Sequence, residues 1–242
     1  MAILEAKGVT KRFGGLAAVR DFDLEVREGE ILGMIGPNGA GKTTVFNLIT
    51  RVYPVTSGEI FFEGARISSG VPTHRVIELG IGRTFQKTRP LLRLAVLENV
   101  MISSFLRTNS RERARKLALE VLDFTNFLEK KDVLAASLNV AGRKRLEIAR
   151  ALATKPKLLL LDEVAAGLNP RETEEVTDLI SRIREKGVTV IAIEHVMRFI
   201  MSISDRVVVM HHGAKIADGK PDEVARSRDV IDAYLGEEYA QS

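Results

Sequence analysis

"GPNGAGKTT", residues 36–44, decides the reading of this chain. Three glycines and a proline crowd around a single lysine, and two threonines follow. Gly36 to Thr43 satisfies G-x-x-x-x-G-K-[ST] at every fixed position. Phosphate oxygens need many N–H donors converging at short range. Glycines let the backbone curl without Cβ clashes, so successive amides point inward as an anion nest. A helix that starts at the lysine adds its own unpaired N–H groups and the positive end of its dipole. On this reading Gly36, Pro37, Asn38, Gly39, Ala40 and Gly41 supply the backbone cradle, and Lys42 reaches the β- and γ-phosphates. The Thr43 hydroxyl ligates Mg²⁺, and Thr44 reaches the α-phosphate. The plainer alternative is a glycine-rich turn that caps a helix. The flanking sequence decides between them: "EILGMIG" is a short apolar run ending in the loop, and "TTVFNLITRVY" has helical apolar spacing at Val45, Leu48, Ile49 and Val52, stopping before Pro54. The order strand, glycine loop, helix is the one phosphate binding needs.

Outward from the loop, "ILEAKGVTKRF" and "AAVRDFDLEVREGE" alternate in the manner of strands, and "SGEIFFEGARI" reads as a hairpin. The texture changes between about 87 and 150, where "SRERARKLALEVLDFTNFLEKKDVLAA" is charged and helical with little β pattern. Strand and helix patterns then resume with "KPKLLLLDE", the amphipathic "RETEEVTDLISRIREKG", the β-branched "VTVIAIEH", and "DRVVVMHHGAKIADG" as a second hairpin. Buried apolar strands alternating with helices predict an α/β fold with a mainly parallel sheet covered on both faces. The middle third reads as a helical lobe inserted into that core. The tail "DVIDAYLGEEYAQS" offers a short helix and no motif.

The chain has 242 residues, 45% of them hydrophobic, enough to bury a sizeable core. Lys and Arg outnumber Asp and Glu by 36 to 32, so an isoelectric point of about 9.4 conceals a net charge of only +4, spread along the chain. That balance permits nucleic-acid binding without indicating it. The absence of cysteine excludes disulfides and thiolate metal sites. The N-terminal stretch carries Glu5 and Lys7 and shows no signal-peptide run, and no segment approaches the roughly 20 apolar residues of a membrane span. Any membrane role is therefore expected to come through a partner.

A second constellation supports the first. "LLLLDE" ends at Asp162 and Glu163, and carboxylates at the carboxyl end of a parallel strand face the crevice where ligands bind. Asp162 would hold Mg²⁺, and Glu163 would take a proton from the attacking water. His195, at the end of another strand, becomes a candidate contact for the γ-phosphate. His74, His211 and His212 lack that setting. Taken alone, a strand ending in solvated acids or a lone surface histidine would be the plain reading.

With these parts in place, the chain over roughly residues 3–235 resembles the ATP-binding subunit of an ABC transporter. "GPNGAGKTT" is similar to the Walker A motif, "FQ" at 85–86 to the Q-loop, "LLLLDE" to Walker B with its catalytic glutamate, and "EH" at 194–195 to the His switch. "LNVAGRKRLEIARAL" resembles the signature stretch running into its helix. "KRFGGLAAV" places Phe13 where the family stacks an aromatic on adenine, with Val19 a further nucleotide contact. "FGGLAAV", "GIGRTFQ", "VLENVM" and "AGLNP" together resemble the subgroup that imports branched-chain amino acids. The resemblance implies a P-loop NTPase core with an antiparallel β subdomain and an inserted helical subdomain, forming one ABC ATPase domain over 1–242. Within it, 1–86 and 151–242 would be the core, and 87–150 the helical part carrying the signature. Gln86 is implied as both a catalytic residue and a Mg²⁺ contact, and ATP with Mg²⁺ as the ligands.

The resemblance also implies a head-to-tail sandwich of two cassettes, alike or different. Each ATP would lie between the phosphate loop of one and the signature of the other. Integral-membrane permease subunits and an extracytoplasmic solute-binding protein would complete the system. The chain would sit peripherally on the cytoplasmic face of the plasma membrane, and no nucleic-acid partner is expected. In place of the usual Leu-Ser-Gly-Gly-Gln, an ungapped alignment gives Leu138, Asn139, Val140, Ala141 and Gly142. The Asn139 amide could replace the serine hydroxyl as a phosphate donor. Ala141 would resist a positive φ, and a shift of one position would bring Gly142 there instead. Asn169 replaces the family's aspartate in the loop after Walker B. Rival readings are export of a lipid or polysaccharide, a soluble ABC ATPase acting on nucleic acid or ribosomes, and a small-molecule kinase.

Overall fold

The computed structural model describes residues 1–85 and 90–240. The glycine-punctuated N-terminal stretch forms a long hairpin of β1 (Ala2–Phe13) and β2 (Leu16–Arg27), and β4 (Ser57–Phe62) with β5 (Ala65–Arg66) forms the hairpin expected of "SGEIFFEGARI". Together they make a four-stranded antiparallel sheet in the order β2-β1-β4-β5. A second sheet has the order β10-β9-β3-β8-β7-β6, built from β3 (Ile31–Ile35), β6 (Ile81–Arg83), β7 (Leu158–Asp162), β8 (Thr189–Ile193), β9 (Arg206–His211) and β10 (Ala214–Gly219). Its pairings are parallel except for the β9–β10 hairpin.

The run of four leucines in β7 shows why this sheet must be covered on both sides. Leu158 and Leu160 join a core with Phe46 and Phe62, and Leu159 and Leu161 join another with Leu179 and Phe199. All four are fully buried. Side chains alternate faces along a strand, so an unbroken apolar run needs two apolar neighbours. Each such leucine stabilises the fold by about 1.5–3 kcal/mol. One cover is the antiparallel sheet together with α1 (Lys42–Ile49). The other includes α6 (Pro170–Glu185) and α7 (Met197–Ile203). The same alternation turns Asp162, next after Leu161, toward the α1 side.

Between β6 and β7 the chain forms α3 (Val96–Ser104), α4 (Arg111–Phe124) and α5 (Val140–Leu152), which share a separate cluster of Val100, Ala118, Leu122, Leu146 and Ala149. Asn99 is fully buried there. Its amide accepts from Leu91 N–H at 2.8 Å and donates to the carbonyls of Leu91, Leu94 and Ala95 at 3.0–3.3 Å. That satisfies a polar group which would otherwise be costly inside an apolar cluster. Two seven-residue helices, α2 (Thr73–Leu79) and α7, and the five-residue α8 (Pro221–Ala225) are too short to show a helical period and were not expected from the sequence. The tail forms α9 (Arg228–Ala240). Among the described residues no helix is long and apolar enough to cross a membrane.

Candidate nucleotide-binding site

β3, β6, β7 and β8 are parallel neighbours in one sheet, and the chain reaches the motifs read from the sequence at their carboxyl ends. β3 passes into the glycine loop, where Gly36, Gly39 and Gly41 have φ of 148°, 79° and 105°. Two of these glycines are also required by space. A Cβ at Gly36 would stand 2.1 Å from the Met210 carbonyl oxygen, and one at Gly41 2.4 Å from that of Ala18. No side chain caps the start of α1, so the N–H groups of its first turn stay available to a ligand. Lys42 is buried, and its ammonium donates to the carbonyl oxygens of Gly36 and Pro37, the latter at 2.8 Å. Asn38, Gly39 and Thr43 are exposed at the loop's rim, Thr44 is half-buried, and Pro37 and Ala40 are buried beneath.

Asp162 is almost wholly buried, and its Oδ2 accepts from Arg83 Nη2 at 2.9 Å. Arg83 also donates to Asn47 Oδ1 at 2.6 Å, and its guanidinium lies over the Phe46 and Phe85 rings. Burial pushes the Asp162 pKa up, against the opposing pull of Arg83. The other oxygen, Oδ1, is buried with no hydrogen-bond partner among the described residues. Thr43 and Asp162 line one cavity with Arg83, Phe85 and Glu147. A carboxylate oxygen left unsatisfied in a cavity shared with a hydroxyl fits a hard cation that prefers oxygen ligands. Arg83 was passed over in the sequence because its partners lie 79, 36 and 33 positions away.

Glu163 adopts φ +52°, a left-handed conformation unusual outside glycine. Its N–H donates to Ile193 O at 2.9 Å, its carbonyl accepts from the Lys144 ammonium, and its Oε1 lies 2.6 Å from His195 Nε2. The two residues chosen separately at the ends of β7 and β8 are thus a hydrogen-bonded pair. Glu194, beside His195, is buried and accepts from Ala165 N–H at 2.7 Å. Burial raises its pKa to about 7, against the opposing pulls of that N–H and of Lys144. Burial lowers the pKa of Lys144, which the Glu194 and Glu163 carboxylates partly restore.

The remaining candidates divide. Phe13 is 42% exposed and meets Tyr53 edge to face, with centroids 5.1 Å apart. Lys11 Nζ lies 4.9 Å above the Phe13 ring. Tyr53 was not singled out in the sequence. Val19 is fully buried, 3.5 Å from where a Cβ on Gly41 would stand, so it packs under the loop. Asn139 is the N-cap of α5, its Oδ1 accepting from Gly142 N–H at 2.9 Å. Ala141 and Gly142 lie in the first turn of α5 and neither has positive φ. The expected strain at Ala141 does not arise, and the backbone requires no shift of one position. A Cβ at Gly142 would stand 3.0 Å from Asn139 Oδ1, so the glycine makes room for the cap. Asn169 caps α6, accepting from Glu172 N–H at 2.9 Å while Glu172 Oε2 accepts from Asn169 N–H at 3.0 Å, so this position serves as a reciprocal cap without the acid. Gln86 lies outside the described residues.

Comparison with known proteins places this arrangement. Residues 19–166 match the family model described as ABC transporter, and residues 214–240 match one described as branched-chain amino acid ATP-binding cassette transporter. The chain is 44% identical to the high-affinity branched-chain amino acid transport ATP-binding protein BraF of Pseudomonas aeruginosa, over 97% of this chain and 98% of that one. Among solved structures it is similar to the ADP conformation of MJ1267, an ATP-binding cassette of an ABC transporter, with a TM-score of 0.89, 30% identity, and coverage of 98% of this chain and 99% of the other. It is also similar to a dimeric structure of MJ0796, a bacterial ABC transporter cassette, with a TM-score of 0.82, 26% identity, and coverage of 90% and 98%. Glycine loop, strand-end acids and whole-length likeness converge on one conclusion: this chain belongs to the ABC transporter family and is one of its ATP-hydrolysing cassettes.

Proposed function

We propose that the chain powers the import of branched-chain amino acids. The observation that carries the choice of cargo is the match of its C-terminal residues 214–240 to the branched-chain family model, supported by the likeness to BraF. The rival reading is lipopolysaccharide export, since the chain is also 35% identical to the lipopolysaccharide export system ATP-binding protein LptB of Escherichia coli over 99% of both; the 44% identity to BraF favours import. ATP would lie with its phosphates on the Gly36–Gly41 backbone and the start of α1, and its adenine against Phe13. Thr43 and Asp162 would hold Mg²⁺, joined by Gln86. When bound, the ion neutralises charge on the β- and γ-phosphates. Glu163 would accept a proton from the water attacking the γ-phosphorus while the bond to the β-phosphate oxygen breaks and ADP leaves. His195, held at 2.6 Å from Glu163, keeps that carboxylate aimed and contacts the γ-phosphate.

A single chain leaves the outer side of the γ-phosphate bare. The N-terminus of α5 from a second cassette, a copy of this chain or a related one, would cover it, with the Asn139 amide turned toward the phosphate. The lobe of residues 87–150, inserted in a core of 1–86 and 151–242, would receive the permease subunits. The assembly would sit on the cytoplasmic face of the membrane, with an extracytoplasmic solute-binding protein delivering cargo.

The test is reconstitution of the chain with its co-purifying membrane subunits in vesicles, with ATP and Mg²⁺. Uptake of leucine, isoleucine or valine is expected, and Glu163→Gln should abolish it while ATP binding persists. ATP hydrolysis by the reconstituted complex without transport of any of the three would overturn the cargo. Wild-type turnover in Glu163→Gln would overturn the base.

A further inference from the structure

Among the described residues, three tethers hold Glu163. Its N–H is fixed to the end of β8 through Ile193 O, its carboxylate to His195, and its carbonyl to Lys144. The first two partners come from β8 and the residues just after it. The third comes from α5, which packs Leu146 and Ala149 into the helical cluster and Ile148 and Ala151 into the core beside Leu159 and Leu161 of β7. Lys144 is five positions after the Asn139 cap, in the second turn of α5, and lies 19 residues before its partner in sequence. An ammonium half-removed from water is costly unless it is compensated. Here the compensation is the Glu163 carbonyl and the nearby Glu163 and Glu194 carboxylates. Glu163 makes this contact from a left-handed backbone, φ +52°. A left-handed turn is strained for a non-glycine residue and persists only where the surroundings enforce it.

We propose that Lys144 is a positioning residue for hydrolysis, holding the backbone of Glu163 in the left-handed turn that aims its carboxylate at the attacking water. This rests on the assignment of Glu163 as base. The aim of the base then depends on where α5 stands. In the proposed sandwich the first turn of that helix covers the nucleotide of the other site, so each site's occupancy bears on the other's base through one lysine.

The experiment compares the full-length wild type with Lys144→Met, Lys144→Arg and Glu163→Gln. It measures kcat, KM for ATP, Kd for a non-hydrolysable ATP analogue, and melting temperature. Misaiming a catalytic group by about 1 Å costs on the order of 100-fold. Lys144→Met should therefore lower kcat by about 10- to 100-fold, with analogue Kd within about threefold of wild type. Lys144→Arg, which keeps a charged donor, should recover most of the rate. A Lys144→Met kcat within about twofold of wild type, beside an inactive Glu163→Gln, overturns the role of Lys144 and leaves the base assignment standing. Wild-type turnover in Glu163→Gln overturns both. Parallel loss of kcat and analogue affinity, or no gain from arginine, would make Lys144 a general structural prop and overturn the proposal.

Discussion

Two helix starts in this molecule are assigned to phosphate, and they are built in opposite ways. At α1 the turn is made by backbone alone: three left-handed glycines, no side-chain cap, and a buried lysine folded onto loop carbonyls. Beneath it lie a buried ion pair and packed apolar side chains. At α5 the turn is made by a side chain: Asn139 caps an ordinary helix that begins with the exposed Val140. The first design cannot change without displacing neighbours such as Ala18 and Met210. The second is constrained more lightly: a Cβ at Gly142 would stand 3.0 Å from Asn139 Oδ1, and Val140 beside that asparagine is exposed. This accounts for a phosphate loop that keeps the common pattern at every fixed position and a signature that departs from its usual form. It places the rigidity of the site under α1 and its adjustability at α5.

That contrast can be broken experimentally. Arg83→Met leaves Asp162 buried without its counter-ion, and losing one partner of a buried pair costs about 3–5 kcal/mol. Urea unfolding should show a loss of this size; a loss near the small values typical of exposed pairs would mean that the α1 side is not anchored by buried charge. Gly41→Ala meets both positive φ and a carbonyl oxygen 2.4 Å away. If about 3 kcal/mol of strain falls on the loop, ATP affinity drops by on the order of 100-fold, readable by titration with a fluorescent analogue. Affinity retained within threefold would show that the glycine is dispensable.

Glu194→Gln tests the floor of the site through pH. With its folded pKa raised to about 7 from 4.5, Glu194 binds a proton more tightly in the folded than in the unfolded chain. Folding therefore takes up a proton between those values, and stability falls as pH rises through that window, then levels off. Glutamine removes the dependence, so the variant should gain on wild type by about 2–3 kcal/mol between about pH 5 and about pH 8. An equal gap at both pH values would show that Glu194 titrates normally. The smallest effect belongs to α5: Asn139→Ala removes a cap worth about 1 kcal/mol. A stability loss as large as that of Arg83→Met would erase the distinction between the two helix starts.

Legibility in the sequence follows the same division. The glycine loop could be read because its geometry needs particular residue types at adjacent positions. The strands could be read because burial on both faces leaves unbroken apolar runs such as "LLLL". The strand-end acids followed from those two. Arg83, Tyr53 and Lys144 could not be read, since each owes its place to residues brought near only by folding: Asp162 for Arg83, Phe13 for Tyr53, Glu163 for Lys144. Val19 was chosen for its place in a motif, yet it lies wholly beneath the loop. At Ala141 the sequence suggested a strained turn, and the chain instead begins a regular helix one residue earlier.

Asn99 has a mechanical consequence. One amide gathers bonds from Leu91, Leu94 and Ala95 onto the first turn of α3, so the entry strap and the helix form a single stiff piece. A load on the exposed Leu91 and Leu92 would therefore be passed to the first turn of α3 through these bonds.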